Sequence, residues 1–295
     1  MSVSSSTKTV NTWLARASKI LKNAGIGSAY LDTLILLEDE TGHDRAWLLA
    51  HSETLLQGRA LQRLERQIAR RTKHEPLAYI RSRTQFYDRE FYISKQVLEP
   101  RPESETMITL LKDLLYHKTL VYRVPPCRVA RAGSCKVIDL GTGSGALAIT
   151  TKLEMPKIEV TATDIDPKCL KVARQNAHKY SVKIKFLRGD LLLPLKPWAL
   201  NSGLWTILAN LPYVPDNFHI NQAAAMEPRL AIFGGRDGLN VYHRLFIQLQ
   251  LLKTQPRFIL TESMPPQHKK LAQIARSSGF KLKTTEDFIQ LFEKT

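Results

Sequence analysis

Short apolar runs separated by amphipathic helical stretches occupy the second half of the chain and restrict what it can fold into. The runs are Lys136–Leu140, Ile158–Thr163, Ile184–Leu187, Trp205–Ala209, Phe258–Thr261 and Phe280–Thr284. Helical periodicity fills several of the gaps, including Pro167–Lys179 and Leu239–Leu252. Strands of this kind, alternating with helices, predict an α/β fold built on a mostly parallel sheet. Ligands of such sheets bind outside the carboxyl ends of the strands.

The first strand runs directly into Gly141-Thr142-Gly143-Ser144-Gly145. Glycines permit a tight turn and a close approach of backbone to ligand. The spacing is not the G-x-G-x-x-G of dinucleotide sites, and it lacks the Gly-Lys-Ser/Thr of a P-loop. Asp164 ends the second strand, 21 residues after Gly143. An acid there can accept from two ribose hydroxyls. It can also cap the next helix, a role equally open to Asp166. Asp190 ends the third strand, where it can accept from an adenine amino group while Leu191 packs on the ring. The set describes an adenosine site without a pyrophosphate grip, which suits S-adenosyl-L-methionine (SAM) better than NAD.

Asn210-Leu211-Pro212-Tyr213 follows the strand Trp205–Ala209. A planar NH2 is a poor nucleophile because its lone pair is delocalised, so a site that methylates one must orient it. The Asn210 side-chain oxygen and the Leu211 carbonyl can each accept one N–H, aiming the nitrogen at the methyl donor. Pro212 biases Leu211 toward extended geometry, and Tyr213 offers a flat face to an amide or a base. Asn210 also borders the expected cofactor site. No His/Cys/Asp cluster at ligand spacing accompanies the motif, so no metal is expected.

The first half reads differently. Val10 to about Lys73 is helical, with Trp13, Ala17, Ile20 and Leu21 on one stripe and Gly25 and Gly27 breaking the run. A helix over Leu55–Arg71 carries Arg59, Arg63, Arg66 and Arg70 on one side, a stripe that suits either phosphate or solvent. A hairpin is expected over Phe86–Val97, and a helix over Ser104–Leu115 after Pro100 and Pro102. Residues 116–134 contain Pro125-Pro126 and no acid, as a basic linker would. The expected domains are therefore 1–84, helical, with a targeting segment expected over 1–10; 85–134, hairpin and linker; and 135–295, the catalytic sheet.

With these motifs in order, the second half resembles class I SAM-dependent methyltransferases, a Rossmann-like fold with a seven-stranded, mostly parallel sheet. The whole chain resembles the HemK/PrmC family of protein-(glutamine-N5) methyltransferases. The upstream marks are Ala24-Gly25-Ile26 with Leu31-Asp32, Arg70-Arg71 with Glu75-Pro76-Leu77-Ala78-Tyr79-Ile80, Phe86, Val97, and Pro100-Arg101-Pro102-Glu103-Ser104-Glu105. Downstream stand Glu227-Pro228 and Gly235-x-Asp237-Gly238-Leu239. The resemblance implies an N-terminal helical domain that helps hold a class I peptide chain release factor. SAM would lie over Gly141 to Gly145 with Asp164 on its ribose and Leu191 beside the adenine. The glutamine of a Gly-Gly-Gln loop would enter at Asn210 to Tyr213. The family's first motif proline is Leu211 here, Arg81-Ser82-Arg83 replaces a usual glycine, and Glu286 to Gln290 replaces its C-terminal Asp-Gly-x-x-Arg pattern.

Two other readings share part of this pattern. Asn-Leu-Pro-Tyr also resembles the motif of ribosomal RNA adenine-N6 methyltransferases, but those carry their extra helical domain after the sheet rather than before it. A SAM-binding, ribosome-associated factor with little activity is the other, favoured only by Leu211. Charge bears on partners. Lys+Arg 43 against Asp+Glu 27 gives +16 and a pI near 9.8, with 17 basic and 14 acidic residues before position 116 and 26 and 13 after it. That surplus suits steering toward a ribosome-associated substrate. The first 31 residues contain no Asp or Glu, a composition that suits either a mitochondrial presequence or a frayed basic terminus before an ordinary first helix. A mitochondrial enzyme is expected, with the bacterial cytoplasm as the alternative. It is expected to act as a monomer without membrane insertion.

Overall fold

The computed structural model describes residues 7–116, 135–195 and 204–295. Residues 1–6 of the expected targeting segment and 117–134 of the expected linker lie outside the described residues. The chain separates into two compact units, Met1–Ser82 with Ile220–Met226, and Arg83–His219 with Glu227–Thr295.

The first unit is helical. A short strand β1 (Lys8–Thr9) leads into α1 (Val10–Asn23), where the Thr9 hydroxyl accepts the Thr12 N–H at 3.2 Å and so caps the helix. Its apolar stripe of Val10, Trp13, Leu14, Ala17 and Leu21 is buried. Helices α2 (Ala29–Thr41) and α3 (Arg45–Ala50) follow. The helix expected from Leu55 instead begins later, because Leu55–Leu56 forms β2 and pairs antiparallel with Lys8–Thr9. Helix α4 runs Gly58–Arg71 and α5 Leu77–Arg81. The arginine stripe of α4 is partly matched by acids, Arg63 to Glu40 and Arg70 to Glu75. Arg71 Nε donates to Asp32 Oδ2 at 2.7 Å, and both groups are buried. Asp32, Arg70, Arg71 and Glu75, four of the residues that carry the family resemblance in this half, are thus held in ion pairs.

The second unit opens with the hairpin β3 (Arg83–Phe86) and β4 (Arg89–Tyr92), three residues earlier than expected. Tyr87 and Asp88 make its turn with φ of 51° and 57°. Helix α6 (Glu105–Tyr116) follows a 3-10 turn at Pro102–Ser104. The sheet and its helices then alternate: β5 (Cys135–Leu140), α7 (Ala146–Glu154), β6 (Glu159–Asp164), α8 (Pro167–Lys179), β7 (Lys185–Arg188), β8 (Leu204–Ala209), α9 (Arg229–Ile232), α10 (Asn240–Gln250), β9 (Phe258–Glu262), α11 (His268–Ser277), β10 (Phe280–Glu286) and β11 (Ile289–Lys294). Strand order is β10-β11-β9-β8-β5-β6-β7. Pairs among β9, β8, β5, β6 and β7 are parallel, and β11 pairs antiparallel with both its neighbours. Strand β11 was not anticipated from sequence; Asp287, at φ 48°, lies in the turn that returns it.

Alternate strand residues feed two cores. Val137, Val160, Leu208 and Leu260 pack with Met107, Leu111 and Ile149 on one face of the sheet. Ile138, Ile207, Ile259 and Phe292 pack with Leu245, Phe246 and Leu271 on the other. Both faces are covered, so the strands read as continuous apolar runs. The order reverses at β5, whose neighbours β6 and β8 lead to opposite edges. The crevice beyond the carboxyl ends of β5 and β8 is thus the topological switch point, where ligands bind in such sheets.

Candidate active site

The glycine turn sits at the carboxyl end of β5, tied to the end of β6. Thr142 N–H donates to Thr163 O, and Gly143 N–H to Asp164 Oδ2, both at 2.9 Å. Asp166 N–H donates to Asp164 Oδ1 at 2.9 Å. Asp164 is thus held by backbone donors on each oxygen, while the cap of α8 falls to Asp166, whose carboxylate accepts the Lys168 N–H at 2.8 Å. Burial raises the Asp164 pKa. Ser144 is buried, and its carbonyl accepts from Asn176 Nδ2 at 2.9 Å. Asn176 also bonds both main-chain groups of Tyr92, so one side chain joins the turn to the hairpin. Below the turn, Thr142 Oγ1 donates to Asp139 Oδ2 at 2.6 Å; Asp139 is fully buried and pushed up to about 7 by desolvation.

Gly145 has φ +83°, and a Cβ there would meet Ile149 at 3.0 Å and Ala173 at 3.1 Å, so the turn packs tightly against α7 and α8. At Gly143, by contrast, a Cβ would meet nothing nearer than 3.9 Å. Open space beside a strand-end turn, an acid aimed by backbone donors, and a second acid two residues beyond the end of β7 fit an adenosine-bearing cofactor. That second acid, Asp190, accepts from Gln248 Nε2 at 3.3 Å and lies 3.3 Å from Arg244. Leu191 differs from the simple expectation. Its φ is +53°, its carbonyl accepts the Thr163 hydroxyl, and its side chain is buried in the core with Leu140 and Leu211.

Asn210 to Tyr213 leave the carboxyl end of β8, next to the turn in the sheet order. Leu211 is buried, with Cδ2 3.2 Å from where a Gly141 Cβ would stand. Its N–H, which a proline would lack, points at Tyr242 Oη at 3.4 Å. Asn210 Nδ2 donates to Ser104 Oγ at 2.9 Å, and Ser104 Oγ donates to Glu262 Oε2 at 2.6 Å. Tyr213 Oη donates to the other oxygen, Glu262 Oε1, at 3.1 Å. Burial raises the pKa of both Tyr213 and Glu262. The Tyr213 carbonyl accepts from Gln267 Nε2 at 2.7 Å, and Gln267 also holds the Asp237 carbonyl. A Cβ on Gly238 would stand 2.0 Å from that Tyr213 carbonyl, which is why only glycine fits there. Farther along, Glu227 pairs with Arg101 and accepts the Glu99 N–H.

Glu262, Tyr242 and Gln267 were not singled out from sequence, and Ser104 only as part of a family mark. Glu262 had a usable signal, since it ends a strand as Asp164 does. Tyr242 and Gln267 had none, lying inside helical or Pro-rich stretches. Among the described residues no group of three or more His, Cys, Asp or Glu could hold a metal ion, and no helix is long and apolar enough to cross a membrane.

Residues 12–81 match the family model of the PrmC N-terminal domain, and residues 127–226 that of the methyltransferase small domain. The chain is 34% identical over 236 residues to a release factor glutamine methyltransferase of Koribacter versatilis (strain Ellin345), covering 79% of this chain and 78% of that one. With the protein of the same description from Bacillus subtilis (strain 168), identity is 32% over 258 residues, or 86% and 85% of the two chains. A solved structure, the hMettl16 catalytic domain in complex with MAT2A 3'UTR hairpin 6, aligns at 15% identity and TM-score 0.49 over 69% of this chain and 74% of that one. Sheet order, glycine turn and strand-end acids define a class I SAM-dependent methyltransferase. Within that class, the chain belongs to the HemK/PrmC family of release factor glutamine methyltransferases.

Proposed function

We propose that the protein transfers a methyl group from SAM to the side-chain amide nitrogen of the glutamine in the Gly-Gly-Gln loop of a class I peptide chain release factor. The observation that carries the reading is the Asn210–Tyr213 loop beside the glycine turn, in a chain whose relatives bear that name over most of their length. When bound, SAM supplies an electrophilic methyl on a sulfonium. Gly141 to Gly145, Asp164 and Asp190 would hold its adenosine part. The Asn210 side-chain oxygen and the Leu211 carbonyl each accept one amide N–H, which orients the nitrogen without deprotonating it first. Tyr213 bounds the amide plane. The extra proton leaves to water, so the chain needs no strong general base.

Labelled SAM offered with a Gly-Gly-Gln release factor, or with ribosomal RNA, tests this directly. Label on the glutamine is expected. Label on RNA would move the assignment to adenine-N6 chemistry, and label on neither would favour a binding module.

The compartment proposed is the mitochondrion, supported by the acid-free first 31 residues and the high pI. The basic surplus supports steering toward a substrate that works beside RNA. A carboxyl-terminal fluorescent fusion should colocalise with a mitochondrial marker; a diffuse cytosolic signal would count against the compartment.

A further inference from the structure

Asn210 has two ends, an oxygen that accepts and an NH2 that donates, and only one orientation accepts from a substrate amide. What sets that orientation lies behind it. Glu262 is 1% exposed at the end of β9, between Ser104 and Tyr213. An ionised carboxylate can only accept. Ser104 must therefore give its one proton to Glu262, at 2.6 Å, and its oxygen is left to accept. The group 2.9 Å away on that oxygen must then be the Asn210 NH2, which turns the Asn210 oxygen toward the crevice. Tyr213 spends its proton on the other carboxylate oxygen at 3.1 Å, which fixes its ring as well.

We infer that Glu262, acting through Ser104, is a positioning residue that dictates the acceptor orientation of Asn210, and that methyl transfer requires Glu262 in its ionised form. The inference rests on the glutamine-methylation reading and adds to it the group that polarises the site. A protonated Glu262 would donate, one of the groups around it (Ser104, Tyr213 or Asn210) would have to accept, and the relay would lose its single direction. Burial and the nearby Glu103 raise the Glu262 pKa, while Ser104, Tyr213 and Asn210 lower it. The Arg101 charge acts on Tyr213 to lower its pKa, and Tyr242 Oη donates to the Glu262 carbonyl oxygen at 2.5 Å. Activity should then be present at high pH and fall as the pH drops through the Glu262 pKa.

The test compares Glu262→Gln, Ser104→Ala and Ser104→Thr with the wild type on a Gly-Gly-Gln release factor. Calorimetry of SAM binding and melting temperature serve as independent readouts. Expected are at least a tenfold loss of kcat in Glu262→Gln and Ser104→Ala, SAM affinity within about twofold of wild type, and recovery in Ser104→Thr, which keeps the hydroxyl. The acidic limb of the kcat–pH profile should be present in wild type and missing in Glu262→Gln. Folded variants with wild-type kcat, losses that track SAM affinity, or an acidic limb that persists in Glu262→Gln would each overturn the relay alone. A wild type that leaves the glutamine unmethylated would overturn the assignment and the relay together.

Discussion

Asp164 Oδ2 accepts the Gly143 N–H at 2.9 Å, so the acid that ends β6 is aimed by the turn that ends β5. Two strand ends thus build one surface. Asp164→Ala should weaken SAM binding by about tenfold to a hundredfold, the loss expected of one or two hydrogen bonds to a charged group. Titration calorimetry measures it, and an unaltered affinity would remove Asp164 from the cofactor site.

Asn210→Ala should separate binding from chemistry. SAM affinity is expected to stay within about twofold, while kcat falls by roughly two orders of magnitude or more, because an orienting acceptor is gone. Single-turnover assays with saturating SAM read the second quantity. Unchanged turnover would mean that the loop does not orient the acceptor nitrogen.

Leu211 stands where the family motif that the chain resembles has proline, and it is buried against the glycine turn. Leu211→Pro loses that packing and an N–H, yet keeps the carbonyl. It should lower unfolding free energy by about 1–2 kcal/mol, as trimming a buried side chain does. Urea denaturation would show the loss, and methyl transfer should remain within about threefold of wild type on this account.

Asp139 sets a pH dependence of stability. Its pKa rises from 3.8 to about 7 because it is desolvated beneath the turn. The folded state therefore holds this proton more tightly than the unfolded one. The corresponding stability is full below pH 3.8 and is lost as the pH rises through about 7. Asp139→Asn keeps an acceptor for the Thr142 hydroxyl and cannot ionise. It should be more stable than wild type at pH 8, by on the order of a few kcal/mol, with the difference closing toward pH 4. Urea unfolding across that range checks both the sign and the window.

In the first unit, Asp32→Ala should strand the buried Arg71 guanidinium, which lies 2.7 Å from Asp32. A loss of about 3–5 kcal/mol follows when one partner of a buried pair is removed. Circular dichroism of the helical signal would register it, and a change below experimental error would mean that Arg71 finds another partner.

Local information sufficed for much of this protein. Hydrophobic periodicity located Pro167–Lys179 to the residue, and it located the strands from β5 to β10 to within a residue or two, because buried parallel strands leave continuous apolar runs. The places of the glycine turn, Asp164 and Asn210 to Tyr213 at the ends of their strands were legible because tight turns and strand ends are constraints of backbone geometry. Strand β11 was not legible, since its pairing partners β9 and β10 are chosen across the sheet and the turn at Asp287 lacks glycine. The short pairing of Leu55–Leu56 with Lys8–Thr9 was hidden for the same reason.

What the sequence by itself determined is therefore the succession of strands from β5 to β10, the glycine turn after β5 and the Asn210–Tyr213 loop after β8, all properties of neighbouring residues. Tertiary structure alone decided what surrounds them. It set Ser104 and Glu262, 158 residues apart, at 2.6 Å behind Asn210, and matched Arg63 and Arg70 with acids that their helical spacing did not disclose. A hydrogen bond or ion pair across such separations depends on where the sheet and helices pack, and no local pattern encodes that distance.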